Sequence, residues 1–352
     1  TQWIGGMGII VLGIAVLPFL GVGGMQLFRA EVPGPTPERL KPRIAQTAKL
    51  LWYVYAGLTG AQVLLYLLGG VPLFDAVTHA FTTLSTGGFS PHGDSLAGFS
   101  AYSQYVTILF MYLAGISFTL HFRALSRGLA PYRDHVEWRF FTGVILGASA
   151  LAFGGLWLQG GLAGQGLEAT FREALFQTVS ITTTTGYVTV DYEAWALGGQ
   201  LLLVLLMFMG GMAGSTGGGM KAVRIQALVK HGLTELRRSL HPRAVMVTRL
   251  GGKVISEEVL LRVLAFALLY LSLFGAGVLA LAALGHDLAT AVGAAAATIG
   301  NIGPGIGGVG AVDHYGWMGS ASHGLLIFLM LVGRLEIFTV LLLFHPDTWR
   351  DR

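Results

Sequence analysis

The chain has 352 residues, 53% of them hydrophobic and only 11% charged, and its mean hydropathy of +0.66 excludes a water-soluble globular domain. It has no cysteine, which excludes a disulfide framework and any thiolate metal site. The net charge of +4 would suit nucleic acid, but the basic residues are segregated between apolar spans, so membrane topology explains them and no nucleic-acid partner is expected.

The chain opens at Thr1, with no initiating Met and no basic leader, and enters an apolar run over 4–27. That opening reads as a truncated start. Arg29, Arg39, Lys41, Arg43 and Lys49 fill the connection that follows. A charge-free run over 50–74 leads into a short amphiphilic helix predicted for 73–84. This helix is too short to cross about 30 Å of hydrocarbon, so it reads as re-entrant. The Thr/Gly-rich break Ser85-Thr86-Gly87-Gly88-Phe89 comes next, and a span over 95–122 returns to Arg123, Arg127, Arg133 and Arg139.

The same order recurs with a period of about 100 residues, too long for a solenoid and suited to duplicated membrane modules. The second copy has a span over 140–167, a short helix over 167–181, the break Thr184-Thr185-Gly186-Tyr187 and a span over 194–220. The third has a span over 263–285, a short helix over 287–299 and the break Gly300-Asn301-Ile302-Gly303-Pro304. Its last helix is expected over 324–344, with Arg334 inside it. Basic residues also fill 221–253 and end the chain at Arg350 and Arg352, so these connections read as cytoplasmic. Asp75, Asp94, Glu168, Glu173, Asp191, Glu193, Asp287 and Asp313 lie on the opposite, external side with a single base, Arg172.

Non-helical backbone at membrane depth is tolerated only where protein buries it or a water-filled path satisfies it. An ion filter supplies such a reason. Its carbonyls replace an ion's hydration shell, and glycine permits the dihedrals that aim them inward. Thr184-Thr185-Gly186-Tyr187 is similar to the Thr-Val-Gly-Tyr run of potassium channels. A short helix entering from outside also points its negative C-terminal end at the break, which favours cations there. Helix packing alone is an equal reading of any single Thr/Gly break. Three in register behind short helices favour filters.

The span over 194–220 is apolar up to Met209 and then holds six glycines within 210–219. Each costs a helix about 1 kcal/mol relative to alanine, so a flexible intramembrane loop is expected. A phosphate loop is excluded because Met220 separates Gly219 from Lys221 and no Gly-Lys-Ser/Thr forms. Residues 305–310 fit a dinucleotide glycine pattern but follow an Ala-rich helix rather than a strand. A charge at Arg334 is costly in a bilayer, so it is expected to face a wet path or a partner. Glu336 is disfavoured as that partner, since residues two apart do not share a helix face. The ten histidines are scattered, and no Gly-x-Ser-x-Gly elbow is present. The chain is therefore read as not an enzyme.

The runs at 3–10 (WIGGMGII), 21–27 (GVGGMQL), 210–221 (GGMAGSTGGGMK) and 333–336 (GRLE) resemble the TrkH family of potassium uptake subunits, within the TrkH, TrkG and KtrB superfamily. The resemblance implies an all-α membrane protein of tandem outer-helix, pore-helix and inner-helix repeats around a pseudo-fourfold, potassium-channel-like pore. The first repeat is represented here only by its inner helix. The implied divisions are 1–46 for that inner helix and its connection, 47–137 for repeat 2, 138–256 for repeat 3 with the gate loop and cytoplasmic connection, and 257–352 for repeat 4.

The same resemblance implies filter carbonyls at Thr86, Gly87, Gly88, Thr184, Thr185, Gly186, Asn301, Ile302 and Gly303, where potassium, the transported ion, is the only metal held. It implies a gate made of Gly214, Ser215, Thr216, Gly217, Gly218, Gly219 and Arg334. Asn301 and Pro304 depart from the filter pattern, so looser selectivity is expected. The implied function is potassium uptake across the bacterial inner membrane. A less selective sodium/potassium transporter and a secondary active cation symporter are the alternatives, against which the same-sense repeats weigh.

The implied partners are the lipid bilayer, a second copy in a homodimer, and a cytoplasmic TrkA-type Rossmann subunit. No cofactor is expected in this chain, and the regulatory nucleotide, NAD or ATP/ADP, would bind that partner subunit. The connection over 221–253, with His231, Arg237, Arg238, His241 and Arg243, is its candidate dock; ordinary cytoplasmic charge is an equal reading. Potassium flux is expected to require a segment preceding Thr1 that carries a first filter.

Overall fold

Apolar length decides which segments become long helices, and the Gly/Thr-rich stretches decide where they stop. The computed structural model describes residues 1–8, 44–160, 166–241, 243–244, 246–335, 337–344, 346 and 349. The expected first span beyond Gly8, with Arg29, Arg39, Lys41 and Arg43, lies outside the described residues, as does Glu336.

Three modules follow one another. The first has a long helix α1 (Ile44–Leu68), a short helix α2 (Leu73–Leu84) and a returning pair α3 (Ala101–Ala114) and α4 (Phe118–Arg127). After the single turn α5 (Ala130–Asp134), the second has α6 (Val136–Leu158), α7 (Leu167–Thr182), α8 (Leu197–Met207) and the basic helix α9 (Ala222–Leu240). A two-residue antiparallel ladder, β1 (Arg249–Leu250) with β2 (Lys253–Val254), breaks the otherwise helical pattern. The third module has α10 (Glu257–Ala283), α11 (Leu288–Gly300), α12 (Ser320–Arg334) and α13 (Ile337–Phe344).

Among the described residues, Lys49–Leu68, α6 and α10 are each long and apolar enough to cross a membrane, and the bent pairs α3/α4 and α12/α13 bring the number of possible crossings to five. α10 exposes Leu261, Leu268, Leu271 and Leu279, a face that only lipid or another apolar surface suits. Each long helix packs along the short helix that follows it. The returning helix of one module packs on the next module's short helix, α3 on α7 and α8 on α11, so the modules succeed one another around a common centre. The short helices are built to be buried. Ala291, Ala294, Ala295, Ala296, Ala297 and Ile299 of α11 are buried, as are Thr178, Val179, Ser180, Ile181 and Thr182 of α7.

The short-helix boundaries fall within a residue or so of expectation, and Asp287 caps α11 by accepting the Thr290 amide at 3.1 Å. The spans that follow differ. A span was expected over 95–122, and within it the chain bends by 100° between α3 and α4. At the bend the Met212 amide donates to the Gly115 carbonyl at 2.8 Å, and the Phe118 amide donates to the Gly214 carbonyl at 3.0 Å. Helix-end groups left unpaired by the bend thus find partners in the glycine loop. Arg334 does not lie inside a continuous helix over 324–344: it ends α12, and α13 starts afresh at Ile337. In the second module the helix stops at Met207, before the six glycines. All three returning spans are therefore interrupted.

Candidate functional site

The three breaks share one backbone. Thr86, Thr184 and Asn301 sit two residues past Leu84, Thr182 and Ile299, and all three have left-handed φ of 52°, 60° and 57°. Gly88, Gly186 and Gly303 are also left-handed, at 64°, 84° and 114°, whereas Gly87, Thr185 and Ile302 between them are not. Alternating hand along an extended segment turns successive carbonyls toward the same side, the arrangement an ion needs from a strand of ligands. Such backbone costs energy at Thr and Asn, so the surroundings must hold it.

The holding bonds repeat as well. The amides of Thr86, Thr184 and Asn301 donate three residues back, to Thr83, Ile181 and Thr298, at 3.0, 3.1 and 3.1 Å. Those of Gly87, Thr185 and Ile302 donate five back, to Thr82, Ser180 and Ala297, at 2.7, 2.9 and 2.9 Å. Side chains complete the brace in two repeats. The Thr82 hydroxyl donates to the Phe89 carbonyl at 2.8 Å, and the Ser180 hydroxyl donates to the Tyr187 carbonyl at 2.7 Å. The third repeat has Ala297 and Pro304 at the matching places and lacks this bond.

The segments also meet one another. A Cβ added to Gly186 would collide with the Ile302 carbonyl, and one added to Gly88 with the Thr185 carbonyl. Only glycine permits both this approach and the left-handed backbone. Tyr187 is fully buried and crosses to the first module, where its hydroxyl, within 3.1 Å of the His79 carbonyl, donates to the Thr82 hydroxyl at 2.5 Å.

The glycine loop between α8 and α9 touches each break where its short helix ends. The Thr216 hydroxyl donates to the Leu84 carbonyl at 3.0 Å, and the Thr216 carbonyl accepts from the Thr86 hydroxyl at 2.9 Å. The Gly218 amide donates to the Thr184 hydroxyl at 2.6 Å. A Cβ on Gly218 would press on the Gly300 carbonyl and on Asn301, so a loop with side chains there could not come this close. Arg334 Nη1 donates to the Thr216 carbonyl at 2.9 Å, and Lys221 Nζ donates to the Gly217 carbonyl. Gly214 lies beside the α3/α4 bend, Ser215 donates to the Met212 carbonyl at 2.6 Å, and Gly219 packs on Gly210. Every expected filter and gate residue thus falls in one connected cluster.

Glu137 belongs to this cluster and was not expected there. It is buried at the start of α6, and its carboxylate accepts the Ala213 amide at 2.8 Å. Its only signal in the sequence is that it is one of two acids, with Asp134, between Arg133 and Arg139.

At the outer end Glu193 accepts the Gly307 amide at 2.5 Å. Burial holds its carboxyl above the usual range, an effect the Gly307 bond opposes and the neighbouring Asp191, Asp313 and Asp287 reinforce. Hydrogen bonds from Thr290 hold the Asp287 carboxyl below the usual range. Four carboxyl groups, those of Asp191, Glu193, Asp287 and Asp313, thus lie near one another beside the third break.

A chain of apolar helices long enough to cross a membrane, with three short-helix-and-break units packed together and all touched by one loop, has the build of a membrane cation-transport protein. It belongs to the TrkH family: the model of that family, described as a cation transport protein, matches residues 1–134 and 166–350. The Trk system potassium uptake protein TrkH of Vibrio parahaemolyticus serotype O3:K6 is 44% identical, the match covering 99% of this chain and 72% of the relative. The protein of the same description from Escherichia coli K12 is 42% identical over the same shares. The crystal structure of the potassium transporter TrkH from Vibrio parahaemolyticus superimposes with a TM-score of 0.85 at 40% identity, covering 99% of this chain and 71% of that one.

Proposed function

We propose that this chain carries the ion path of a potassium uptake transporter of a bacterial inner membrane, with Thr86, Gly87, Gly88, Thr184, Thr185, Gly186, Asn301, Ile302 and Gly303 lining the filter. The observation that carries this reading is the shared alternation of backbone hand at the three breaks. Relatives named potassium uptake proteins over nearly the whole chain support the choice of ion. The divisions given above are the repeats of this path.

Gly214, Ser215, Thr216, Gly217, Gly218 and Gly219 form its gate, and Arg334 latches the gate shut from below through the Thr216 carbonyl. Each bond between loop and filter must break for an ion to leave the deep side. Opening is the task of a cytoplasmic nucleotide-binding TrkA-type partner on the basic helix α9 and its connection. The unit works as a homodimer. Uptake follows the electrochemical gradient through a channel-like path.

The test is potassium influx into liposomes carrying the full-length gene product, with Gly186→Ala alongside. Selective influx that the substitution abolishes supports the reading. Selective influx that survives it removes Gly186 from the filter and overturns it.

A further inference from the structure

The filter is not held alike in its three segments. In the first two modules a short-helix hydroxyl, Thr82 or Ser180, holds the carbonyl just past the filter glycine. In the third, Ala297 has no hydroxyl to donate to the Pro304 carbonyl, and the segment is held from the outer side instead. The Tyr192 hydroxyl donates to the Gly305 carbonyl at 2.6 Å, and the Thr290 hydroxyl accepts the Gly308 amide at 2.8 Å. The Trp317 ring N–H donates to the Gly308 carbonyl at 2.8 Å.

One of these outer bonds reaches the filter itself. The Tyr315 hydroxyl donates to the Gly303 carbonyl at 2.7 Å. Among the described residues, the carbonyls of Gly88 and Gly186 at the matching places accept no hydrogen bond. Gly303 also has the most displaced dihedral of the three, at 114° against 64° and 84°. A carbonyl with one lone pair committed to a phenol, and turned to meet it, is a weaker and less centred ligand than its free counterparts.

We propose that Tyr315 is a specificity-determining residue: its hydroxyl holds the Gly303 carbonyl off the ion path and so makes the outermost ion site asymmetric and less selective for potassium over sodium. This rests on the filter reading given above. Tyr315 acts by positioning a carbonyl and does not touch the ion. Releasing the carbonyl gives the outer site an additional free ligand and raises discrimination against the smaller, more strongly hydrated ion.

The test compares Tyr315→Phe, Tyr192→Phe and Gly186→Ala in the full-length protein in liposomes, reading potassium and sodium influx separately. One hydrogen bond of ordinary strength predicts a potassium-to-sodium ratio about three- to tenfold higher in Y315F, with potassium influx itself retained. Y192F loses an equivalent phenol from a carbonyl outside the filter and leaves the ratio unchanged. The concentrations of potassium and of sodium that protect the detergent-solubilised protein from heat give the same ratio without flux, should Y315F insert poorly. An unchanged or lower ratio in Y315F by both readings overturns the proposal, as does a ratio that rises equally in Y192F. Selective influx surviving G186A would instead overturn the filter reading beneath it.

Discussion

Arg334→Ala is the perturbation whose size the geometry sets most directly. The Thr216 carbonyl accepts two bonds of 2.9 Å, one from the Thr86 hydroxyl and one from the Arg334 guanidinium. A hydrogen bond from a charged donor contributes about 1.5–3 kcal/mol. Because Thr86 still satisfies the carbonyl after the substitution, the lower figure applies, and about 1.5 kcal/mol shifts a closed-to-open equilibrium roughly tenfold. Arg334→Lys keeps the charge and loses the planar fork, so it falls between the two. The assay is single-channel open probability, or rubidium leak into liposomes, in the full-length protein. Thr86→Val, alone and combined with Arg334→Ala, completes a double-mutant cycle, and two donors sharing one acceptor should couple by about 0.5 kcal/mol or more. Open probability and leak that stay within twofold of the parent in Arg334→Ala, with no coupling to Thr86, would refute the latch.

Three other outcomes follow from the same geometry. Shortening the loop within 214–218 breaks its bonds to Leu84, Thr86 and Thr184 together and raises leak more than Arg334→Ala does; equal or smaller leak counts against the loop as the barrier. Glu137→Ala strands the Ala213 amide, a loss of about 1–3 kcal/mol, whereas Glu137→Gln keeps an acceptor, so basal leak should rise in the order parent, Gln, Ala. Burial holds the Glu193 carboxyl above the usual range, so the folded state favours its protonated form. Its contribution to stability is fully present at acid pH and is lost as pH rises through the usual glutamate range to the raised value. Thermal melts over that window should show the fall in the parent and a flatter profile in Glu193→Gln.

The sequence was informative where physical chemistry acts locally. Short helices over 73–84, 167–181 and 287–299 were legible because their length and polarity suit neither a crossing helix nor a surface loop. Six glycines within 210–219 were enough to end a helix at the observed place. The bend between α3 and α4 was not legible, because 95–122 carries no charge, Gly115 and Ser117 are residues that membrane helices also tolerate, and only the distant peptide groups of the glycine loop make a break there tolerable. Glu137 was hidden for the same reason, since its partner lies 76 residues away. Arg334 was read as a charge needing a polar partner, and its bond to Thr216 meets that need. Its place at the end of a helix depends on a chain reversal that its apolar neighbours do not announce. The asymmetry of the third filter segment was half visible: Asn301 and Pro304 signalled it, while Tyr315 carried no mark in the sequence.

Thallium or rubidium anomalous scattering from crystals of the full-length protein tests the central claim most directly. If the three breaks line one ion path, anomalous peaks lie on a common axis among the carbonyls of Thr184, Thr185 and Gly186 and their counterparts, and vanish in Gly186→Ala. Density confined to the acidic outer mouth near Glu193 and Asp287, with nothing between the filter carbonyls, would contradict the account.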